Sequence, residues 1–441
     1  MTRALDRLRH DAIAIYDAAV AAVEPRRALL RSLASTPPPE RVRIVALGKA
    51  ALPMAAGAIE HLDRLEIPVA GGVVVTPDEG PAPDRRLARR TGDHPLPGAR
   101  SYQAALAVAD AAALASPKDE AWVLLSGGTT SLIGAPIDGL SLDEYTRLID
   151  GLGRAGLPIG DLNRLRKRFS RWGAGRLAAA CRAGRIRVFA LSDVPGDAPA
   201  DIGSGPCEPD PSTAAELHDV LEAIARRIPL PEAALRLLER VTRRELPETP
   251  KPGDPIFDRV TTRIVGSNAL ALAQGADRAA ALGYRVVPVA GPVTGPAEAA
   301  GAALVARAMA EPARPSEPIA VIAGGETTVV LGSGPGKGGR CQQLALSAAR
   351  ELAPMGTDPP VVLLAGGTDG RDGPTDAAGA VVDGLTWATI TAGHVDPNRA
   401  LADHDAYPAL AAAGALFRPG PTGTNVMDVM VVLRGCPEPG G

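Results

Sequence analysis

Short apolar runs that end in glycine alternate along this 441-residue chain with alanine-rich stretches of helical periodicity. Val361–Ala365, which leads directly into Gly366, is the clearest of these runs. An apolar run of this length bounded by glycines predicts a buried strand, and strands that alternate with helices predict βα units. The predicted fold class is therefore α/β, with ligands bound where the strands end.

The same patterns place the individual elements. The predicted strands are 43–48, 69–76, 121–126, 186–192, 262–267, 284–290 and 361–365, with a strand pair at 318–323 and 327–332. The predicted helical stretches are 49–62, 142–152, 213–244, 269–282 and 341–352.

A proline-rich segment, Leu246 to Pro255, separates two series of such elements and is the best linker candidate. We therefore predict two α/β domains, residues 1–250 and residues 251–441. The larger N-terminal domain is predicted to be doubly wound and Rossmann-like. Whether the extension before Arg41 packs on the second domain stays open.

Composition excludes several classes of protein. The formal net charge of −3 argues against nucleic acid or an anionic membrane as the main partner. No apolar run is long enough to cross a bilayer, and the N-terminus lacks a signal-peptide core. The four cysteines form no CxxC pair, so neither a zinc site nor a disulfide framework is indicated. We expect a soluble, cytoplasmic protein whose partners are small molecules.

The segment Gly366–Ala380 carries Asp369, Asp372 and Asp376 directly after a predicted strand. Three neighbouring carboxylates repel one another unless a cation lies among them, and Mg²⁺ with a phosphate group is the usual solution. These three acids are therefore predicted metal ligands. The alternative is an ordinary Asp/Gly turn.

Three strand ends share one local pattern. Ser126-Gly127-Gly128, Gly324-Gly325-Glu326 and Gly366-Gly367-Thr368 each place a glycine pair after an apolar run. Paired glycines let the backbone turn sharply and present N–H groups to an anion, which indicates phosphate handling. The alternative is three ordinary strand-to-helix turns.

The loop 332–340 contains Lys337, Gly338, Gly339 and Arg340 before a predicted helix. Backbone N–H groups at a helix start, together with two cations, predict a polyphosphate cradle. It is not a Walker A loop, and its GxGxxG match lacks the ribose-binding acid of a dinucleotide site. A surface loop is the alternative.

Other polar residues also follow predicted strands. Lys49 could neutralise a phosphate or hold a carboxylate, or be a surface lysine. Asp193 and Asp197 could bind Mg²⁺ or accept a proton from a substrate hydroxyl. Arg166 suits a carboxylate or phosphate, or is a solvated helix face. Among the histidines, only His94 is kept as a candidate, and a turn role is the alternative.

Taken together, the motifs resemble the type 2 glycerate kinases, a family with a MOFRL C-terminal domain. The strings that carry the resemblance are VALGKAA (45–51), GDHPLPGARS (92–101), LLSGGTTSL (124–132), the N–R–K–S–G–R–L–A pattern of 163–178, LSDVPGD…IGSGP (191–206), VGSNALAL (265–272), AGGETTV (323–329), GKGGR (336–340), GGTDGRDGPTDAAGA (366–380) and TGTNVMD (422–428).

The resemblance implies an enzyme that uses ATP and Mg²⁺ to phosphorylate D-glycerate at its 2-hydroxyl, in a cleft between two α/β domains. It implies that Lys49 and Arg340 are the catalytic cations, with Asp193 and Asp197 in supporting roles. Substrate contacts are expected from a set around the first strand ends, and nucleotide contacts from the later loops. The substrate set is Lys49, Ser126, Gly127, Gly128, Arg166 and Asn268; the nucleotide set is Gly324, Gly325, Glu326, Lys337, Gly338, Gly339, Gly367, Thr368 and Asp369. The predicted metal ligands are Asp193, Asp369, Asp372 and Asp376.

The chain departs from the family pattern at Cys341, Gln343, Gly173 and Arg168, where an amide, an acid, a lysine and a histidine are usual. Two other functions therefore stay open, an NAD(P)-dependent hydroxypyruvate or tartronate reductase and a nucleotide-binding regulator without catalysis. Nucleotide and metal preference and a homodimer also stay open.

Overall fold

The computed structural model describes residues 3–312, 317–330 and 336–436, and they divide into two compact units. Residues 25–265 form the first, here called the parallel unit. The described residues of 1–24 and 266–441 form the second, here called the mixed unit. The boundary near residue 265 lies beyond the proline-rich segment, and the first 24 residues belong to the second unit rather than the first.

The strands in chain order are β1 Val42–Leu47, β2 Val69–Thr76, β3 Leu87–Thr91, β4 Glu120–Leu125, β5 Arg185–Leu191, β6 Val260–Gly266, β7 Arg285–Pro288, β8 Ile319–Gly325, β9 Val361–Gly367, β10 Gly379–Asp383, β11 Leu416–Phe417 and β12 Asp428–Arg434.

The α-helices are α1 Arg3–Ala22, α2 Pro25–Ala34, α3 Ala51–Arg64, α4 Ala99–Ala113, α5 Thr129–Leu132, α6 Leu142–Arg154, α7 Ile159–Phe169, α8 Arg176–Ala180, α9 Ala214–Ala225, α10 Glu232–Thr242, α11 Asn268–Ala281, α12 Ala297–Ala310, α13 Arg340–Leu352, α14 Thr386–Ala392, α15 Pro397–Ala402 and α16 Ala406–Ala412.

The parallel unit is built on a sheet with the strand order β3-β2-β1-β4-β5-β6. The pairs β2–β3, β1–β2, β1–β4 and β4–β5 are parallel. The chain moves outward in one direction from β1 to β3 and then returns to place β4 on the other side of β1. This reversal creates a switch point between the ends of β1 and β4, where open α/β sheets bind ligands.

Alternating residues of these strands face two different helices. Val45 and Leu47 of β1 and Val123 of β4 pack in one apolar cluster with Ala104 and Val108 of α4. The intervening residues point to the other face, where the Trp122 ring of β4 lies 6.2 Å from the His61 ring of α3, centre to centre. Both faces are therefore covered, which explains why the strands read as continuous apolar runs.

A separate helical layer completes the parallel unit. The apolar faces of α6, α7, α9 and α10 form one core cluster of their own. Capping boxes fix the starts of two of these helices, one from Ser141 with Glu144 and one from Thr213 with Glu216. The helical pattern of 213–244 breaks into α9 and α10 because Pro229 and Pro231 lie between them.

The mixed unit has the strand order β11-β10-β9-β12-β8-β7. Strand β7 is parallel to β8, whereas β12 runs antiparallel to both β8 and β9. Asp428 at the start of β12 is therefore directly opposite Gly325 on one side and Gly367 on the other. The C-terminal ends of β8 and β9 and the beginning of β12 therefore lie together at the same end of the strands of this sheet.

Helix α1 packs in the mixed unit because one of its faces is apolar at helical spacing. Its buried residues are Leu5, Leu8, Ala12, Ile15, Tyr16 and Ala19. Gly275 of α11 lies close to Ile15 and Ala19, so the two helices approach closely. Within the same helix, Arg9 binds Asp383 and Asp11 accepts a hydrogen bond from Tyr284. These contacts explain why the chain's first helix belongs with its last third.

The predicted α/β fold class is confirmed, with two sheets flanked by helices. The strand predicted at 327–332 is wrong over its described part, because β12 and β7 already occupy both sides of β8. Strands β3, β10, β11 and β12 were not predicted. No helix among the described residues is long and apolar enough to span a membrane.

Candidate active site

Polar residues collect at the carboxyl ends of the strands in each unit. In the parallel unit they surround Lys49 after β1, and we call this group the Lys49 site. In the mixed unit they surround Arg340 at the start of α13, and we call this group the Arg340 site.

The Lys49 site begins with a close approach of two loops. A side chain on Gly48, whose φ is +114°, would lie 2.2 Å from the Ser126 hydroxyl oxygen. That hydroxyl accepts a hydrogen bond from the Ala50 N–H and donates one to the Leu47 carbonyl. The Lys49 N–H donates to the Gly127 carbonyl at 2.9 Å. Ser126, a predicted substrate contact, is therefore buried and holds the two strand ends together.

The glycine pair after β4 makes room for charged side chains. A Cβ at Gly127 would lie 2.0 Å from an Asp193 carboxylate oxygen. At Gly128, whose φ is +82°, a Cβ would lie 3.3 Å from both the Lys49 side chain and the His94 ring. The two glycines therefore bring together Lys49, His94 and Asp193 from three different loops.

The charges at this site influence one another. Lys49 is exposed, and within the described ranges its ammonium group has no hydrogen-bond or ion-pair partner. Desolvation and the neighbouring Lys49 charge lower the pKa of His94. Burial raises the pKa of Asp193, and the Lys49 charge acts in the opposite direction. The site thus holds one open cation beside a carboxylate and a histidine.

Two predicted residues have other neighbours. Asp197 has a left-handed backbone, with φ of 54°, and one buried carboxylate oxygen without a partner in the described structure. Arg166 lies on α7 against Gly153 of α6, and burial lowers its pKa. No contact in the described structure joins Arg166 to Lys49, so their shared role with one substrate group stays a prediction.

The Arg340 site centres on a bidentate ion pair. The guanidinium donates two hydrogen bonds to Asp428, from Nε at 2.6 Å and from Nη2 at 2.9 Å. Its Nη1 lies 3.0 Å from Glu326. Asp428 is 1% exposed, whereas the arginine side chain is 34% exposed. This pairing raises the pKa of Arg340, which keeps the guanidinium charged and fixed in orientation while one face stays accessible.

Asp372 is held at the start of the same helix. Its two carboxylate oxygens accept the N–H groups of Cys341 at 3.1 Å and Gln342 at 2.8 Å. A Cβ on Gly339 would lie 2.3 Å from this carboxyl group, so the glycine permits the contact. Burial raises the pKa of Asp372 to about 7 despite these hydrogen bonds. The GKGGR loop and the acidic segment therefore meet here.

The strand end after β9 is tied to the segment before β12. The Thr368 hydroxyl donates to the Met427 carbonyl at 2.6 Å and accepts the Val426 N–H at 2.8 Å. Asp369 is half-buried next to Gly367, and one of its oxygens accepts the Arg371 N–H at 2.9 Å. Thr368 is thus a structural link, whereas Asp369 keeps one carboxylate oxygen for other ligands.

Asp376 lies in a different, exposed cluster. Its carboxylate accepts hydrogen bonds from the Tyr407 hydroxyl at 2.7 Å and from Arg418 at 3.1 Å. The Lys337 ammonium lies over the Tyr407 ring, 4.0 Å from its centre. Lys337 and Asp376 are therefore neighbours through Tyr407. The remainder of the predicted phosphate loop, residues 331–335, lies outside the described residues.

Asn268 fixes the position of the acid at the start of β12. Its side-chain amide donates to the carbonyls of Val426 and Asp428, both at 2.9 Å. A Cβ on Gly324 would lie 2.1 Å from the Asn268 amide oxygen, so only glycine fits opposite it. Gly325, with φ of +148°, approaches Val293 equally closely. Asn268 was predicted to bind substrate, and the structure shows it buried with its amide bonded to the backbone.

The three acids of the 366–380 segment have three separate sets of partners. Among the described residues, no group of three or more His, Cys, Asp or Glu side chains is arranged to hold a metal ion. Repulsion between these acids is relieved by backbone N–H groups at Asp372 and by Tyr407 and Arg418 at Asp376. The prediction that one cation lies among all three acids does not agree with these separate partners.

Two departures from the family pattern have structural explanations. Gln343 is buried, and its amide donates at 2.8 Å to Glu298 and to the Leu401 carbonyl, linking α13 to α12 and α15. A Cβ on Gly173 would lie 2.8 Å from the Lys167 carbonyl. Neither substitution lies in a described contact with Lys49 or Arg340.

Asp428 is the residue of the Arg340 site that was not predicted from the sequence. It occurs in the TGTNVMD string but is 88 positions from its partner Arg340. An acid directly before an apolar run was the available signal, since Asp369, Asp372 and Asp376 were chosen because they directly follow one.

Comparison with known proteins gives two domain matches. Residues 11–239 match a domain of unknown function, DUF4147, and residues 319–428 match the MOFRL family. These ranges contain most residues of the Lys49 and Arg340 sites.

Full-length relatives agree with these matches. A D-glycerate 2-kinase from Thermotoga maritima is 36% identical, over 97% of this chain and 99% of its own length. A glycerate 2-kinase from Pyrococcus horikoshii is 34% identical, over 89% of this chain and 87% of its own. A protein from Agrobacterium vitis named as a hydroxypyruvate reductase is also 34% identical, over 96% and 93%.

The fold agrees as well. The crystal structure of a glycerate kinase from Thermotoga maritima matches with a TM-score of 0.85 at 35% identity, over 98% of this chain and all of that chain. The resemblance seen in the motifs is thereby confirmed. The chain belongs to the glycerate 2-kinase family, with a DUF4147 domain followed by a MOFRL domain.

Proposed function

We propose that this protein is a glycerate 2-kinase that uses MgATP. The 2-hydroxyl oxygen of D-glycerate attacks the γ-phosphorus of ATP, the bond from that phosphorus to the β,γ-bridging oxygen breaks, and the hydroxyl proton is released. The products are 2-phosphoglycerate and ADP. The observation that carries the proposal is Arg340, fixed by Asp428 with one face accessible, in a chain whose relatives are named glycerate 2-kinases.

The nucleotide phosphates are assigned to the glycine-lined edge of the mixed unit. Gly324 and Gly325 end β8 and Gly367 ends β9, the two strands on either side of β12, and Gly338 and Gly339 precede α13. Gly338 and Gly339 are half-buried, and glycines before a helix start leave backbone N–H groups for phosphate oxygens. Gly324, Gly325 and Gly367 are buried, and the Gly367 N–H already donates to the Ala378 carbonyl. Lys337, over the Tyr407 ring, adds a cation to the same group of loops.

Arg340 is assigned to the transferring phosphoryl group. Charge spreads over the equatorial oxygens of this group during transfer, and a fixed guanidinium stabilises it without reorganisation. The pair with Asp428 and Glu326 supplies the fixed orientation. This role predicts a large effect of Arg340 on kcat.

Magnesium fits only some of the predicted ligands. Both oxygens of Asp372 accept backbone N–H groups, and Asp376 is bound to Tyr407 and Arg418. Asp369 keeps a free oxygen at the strand edge and would hold the metal, with Asp193 as the second candidate. Mg²⁺ commonly binds through one or two carboxylates plus substrate phosphates, so no cluster of three is needed. When bound, the metal neutralises phosphate charge.

Glycerate is assigned to the Lys49 site. The open Lys49 ammonium suits the substrate carboxylate, because it has no other partner among the described residues. Asp193, and Asp197 beyond it, are the candidates to orient the 2-hydroxyl. The raised pKa of Asp193 fits a group that exchanges a proton.

A reductase is the second candidate, because of the name of the Agrobacterium vitis relative. The loop between β1 and α3 reads Gly48-Lys49-Ala50, which lacks the glycine-rich sequence of a dinucleotide site. A lysine in this loop stands where a dinucleotide site needs glycine for close approach of the backbone to the pyrophosphate.

A paired assay separates these functions. Purified protein is mixed with MgATP and D-glycerate, and ADP release is followed; in parallel, NADH or NADPH is mixed with hydroxypyruvate or tartronate semialdehyde, and nicotinamide absorbance is followed. We expect ADP release with glycerate and no change in absorbance. Nicotinamide oxidation without ADP release would replace the kinase with the reductase. No activity in either assay, with ATP binding retained, would support the regulatory alternative.

A further inference from the structure

The helical part of the parallel unit contains a cavity of about 400 Å³ that is distinct from the Lys49 site. Its walls come from the segment around α7 and α8 on one side and from α10 and the residues after it on the other. Arg168, Arg171 and Arg176 line the first side, and Leu237, Val241 and Leu246 line the second. One wall is therefore cationic and the other apolar.

One arginine of the cationic wall keeps a nitrogen without an acceptor. Arg168 is 2% exposed; its Nη1 binds Glu248 and Thr249 and lies 3.8 Å from the buried Asp210 carboxylate. Its Nη2 is buried and donates to no group in the described structure. A buried guanidinium nitrogen without an acceptor is costly, so an acceptor is expected to complete it.

Arg176 adds a second charge of the same kind. Its guanidinium donates to the backbone carbonyls of Lys167, Arg168, Ser170 and Gly173. Within the described ranges no carboxylate forms an ion pair with it. Burial lowers the pKa of Arg176 to about 10; the nearby Arg168 acts in the same direction, and Asp210 and Glu248 act against it.

The third arginine lies at the more accessible part of the wall. Arg171 is 37% exposed and lies over the Trp172 ring, 5.6 Å from its centre. Its carboxylate partner Asp138 is fully exposed and 3.8 Å away, so this ion pair contributes little. Trp172 itself lines the cavity, while its indole N–H is bound to the Ala105 carbonyl.

We propose that this cavity binds a monocarboxylate with an apolar tail. The carboxylate would supply the acceptor that Arg168 lacks and would bind Arg171, while the tail would lie against Leu237, Val241 and Leu246. A cavity of this size, apolar with a few convergent charges, has the properties of small-ligand sites. A polyphosphate is disfavoured because half of the wall offers it no polar group.

The test uses octanoate as the probe, with acetate and 1-octanol as matched controls that lack the tail or the charge. Isothermal titration calorimetry is expected to give one site per chain for octanoate, at least about 10-fold tighter than for either control. Replacing Val241 by Trp fills the apolar side from a half-buried position and should remove binding. Replacing Arg171 by Glu should weaken octanoate at least about 10-fold, whereas Arg147→Glu, an exposed change on α6, should not.

A second readout does not depend on the folding of variants. 8-Bromooctanoate quenches indole fluorescence on contact, so it should quench Trp172 and lose this effect in Trp172→Phe, with Trp122 and Trp387 as internal references. The proposal is overturned if acetate binds as tightly as octanoate. It is also overturned if quenching persists without Trp172, or if Val241→Trp folds and still binds octanoate normally.

Discussion

The Lys49 and Arg340 sites are both built at glycine-terminated strand ends, yet their charges are arranged oppositely. At the Lys49 site the cation is open, and its anionic neighbour Asp193 is partly buried with a raised pKa. At the Arg340 site the cation is already paired with a buried carboxylate. A cation without a protein partner binds an anion of the ground state, such as a substrate carboxylate. A cation held in a fixed orientation stabilises the charge that develops in the transition state. The comparison predicts that the two sites control different kinetic constants.

The largest effect is expected from Arg340→Ala. Removing a guanidinium that stabilises the transferring phosphoryl group should lower kcat at least about 10³-fold and change KM for either substrate little. Initial rates of ADP release at saturating substrates measure this. Arg278→Ala, which removes an exposed arginine of α11 in the same unit, is the matched control. A wild-type kcat in Arg340→Ala would remove the proposed role.

Asp428→Asn tests whether the fixed orientation matters. The amide keeps the shape of the side chain but replaces one acceptor by a donor, so the bidentate pair is lost while Arg340 keeps its charge. We expect kcat to fall about 10²-fold, with native circular dichroism. Glu326→Gln alters the more exposed partner and should cost less than about 10-fold. Equal losses in both variants would show that orientation by Asp428 is not special.

The Arg340–Asp428 pair also shows what can and what cannot be predicted from the sequence. The strand ends, the glycine pairs and Arg340 were all predictable, because each is a local pattern of apolar run, glycine and helix start. The partnership with Asp428 was not, because β12 enters between β8 and β9 from far along the chain. Asp372 was predicted to need a cation, but backbone N–H groups of α13 satisfy it, and no local pattern reveals which helix start will lie opposite an acid.

Lys49→Met should have the complementary effect at the open site. Loss of the ammonium should raise KM for glycerate about 10- to 100-fold, with a smaller effect on kcat and almost none on KM for ATP. Lys118→Met, an exposed lysine of the same unit, is the control. A defect confined to kcat would mean that both cations act on the transition state and that the contrast between the sites is wrong.

Gly127→Ala tests the geometry of the Lys49 site without changing charge. The added methyl group would lie 2.0 Å from the Asp193 carboxylate, so either the loop or the acid must move. We expect activity to fall about 10-fold or more, in line with the sensitivity of phosphoryl transfer to positioning. Gly160→Ala on α7, where nothing lies within 4 Å, should leave activity unchanged. Full activity in Gly127→Ala would exclude a fixed Asp193.

The smallest effect concerns pH and stability at the Arg340 site. The pKa of Asp372 is about 7 in the folded chain, above the ordinary 3.8, so the folded state binds more protons than the unfolded state. Its contribution to stability is therefore present below about pH 4 and is lost as the pH rises towards 7. The free energy of unfolding, measured with urea, should fall as the pH rises from about 4 to about 7, and the fall should be smaller in Asp372→Asn. The same slope in both proteins would contradict the assignment to Asp372.

The central claim is the reaction itself, and ³¹P NMR of the protein with MgATP and D-glycerate tests it most directly. A phosphomonoester signal that coincides with added 2-phosphoglycerate, growing with ADP, is the expected result. The signal should be absent when Arg340→Ala replaces the wild-type protein over the same time. A signal of 3-phosphoglycerate, or no transfer to glycerate while another hydroxy acid is phosphorylated, would contradict the proposed function.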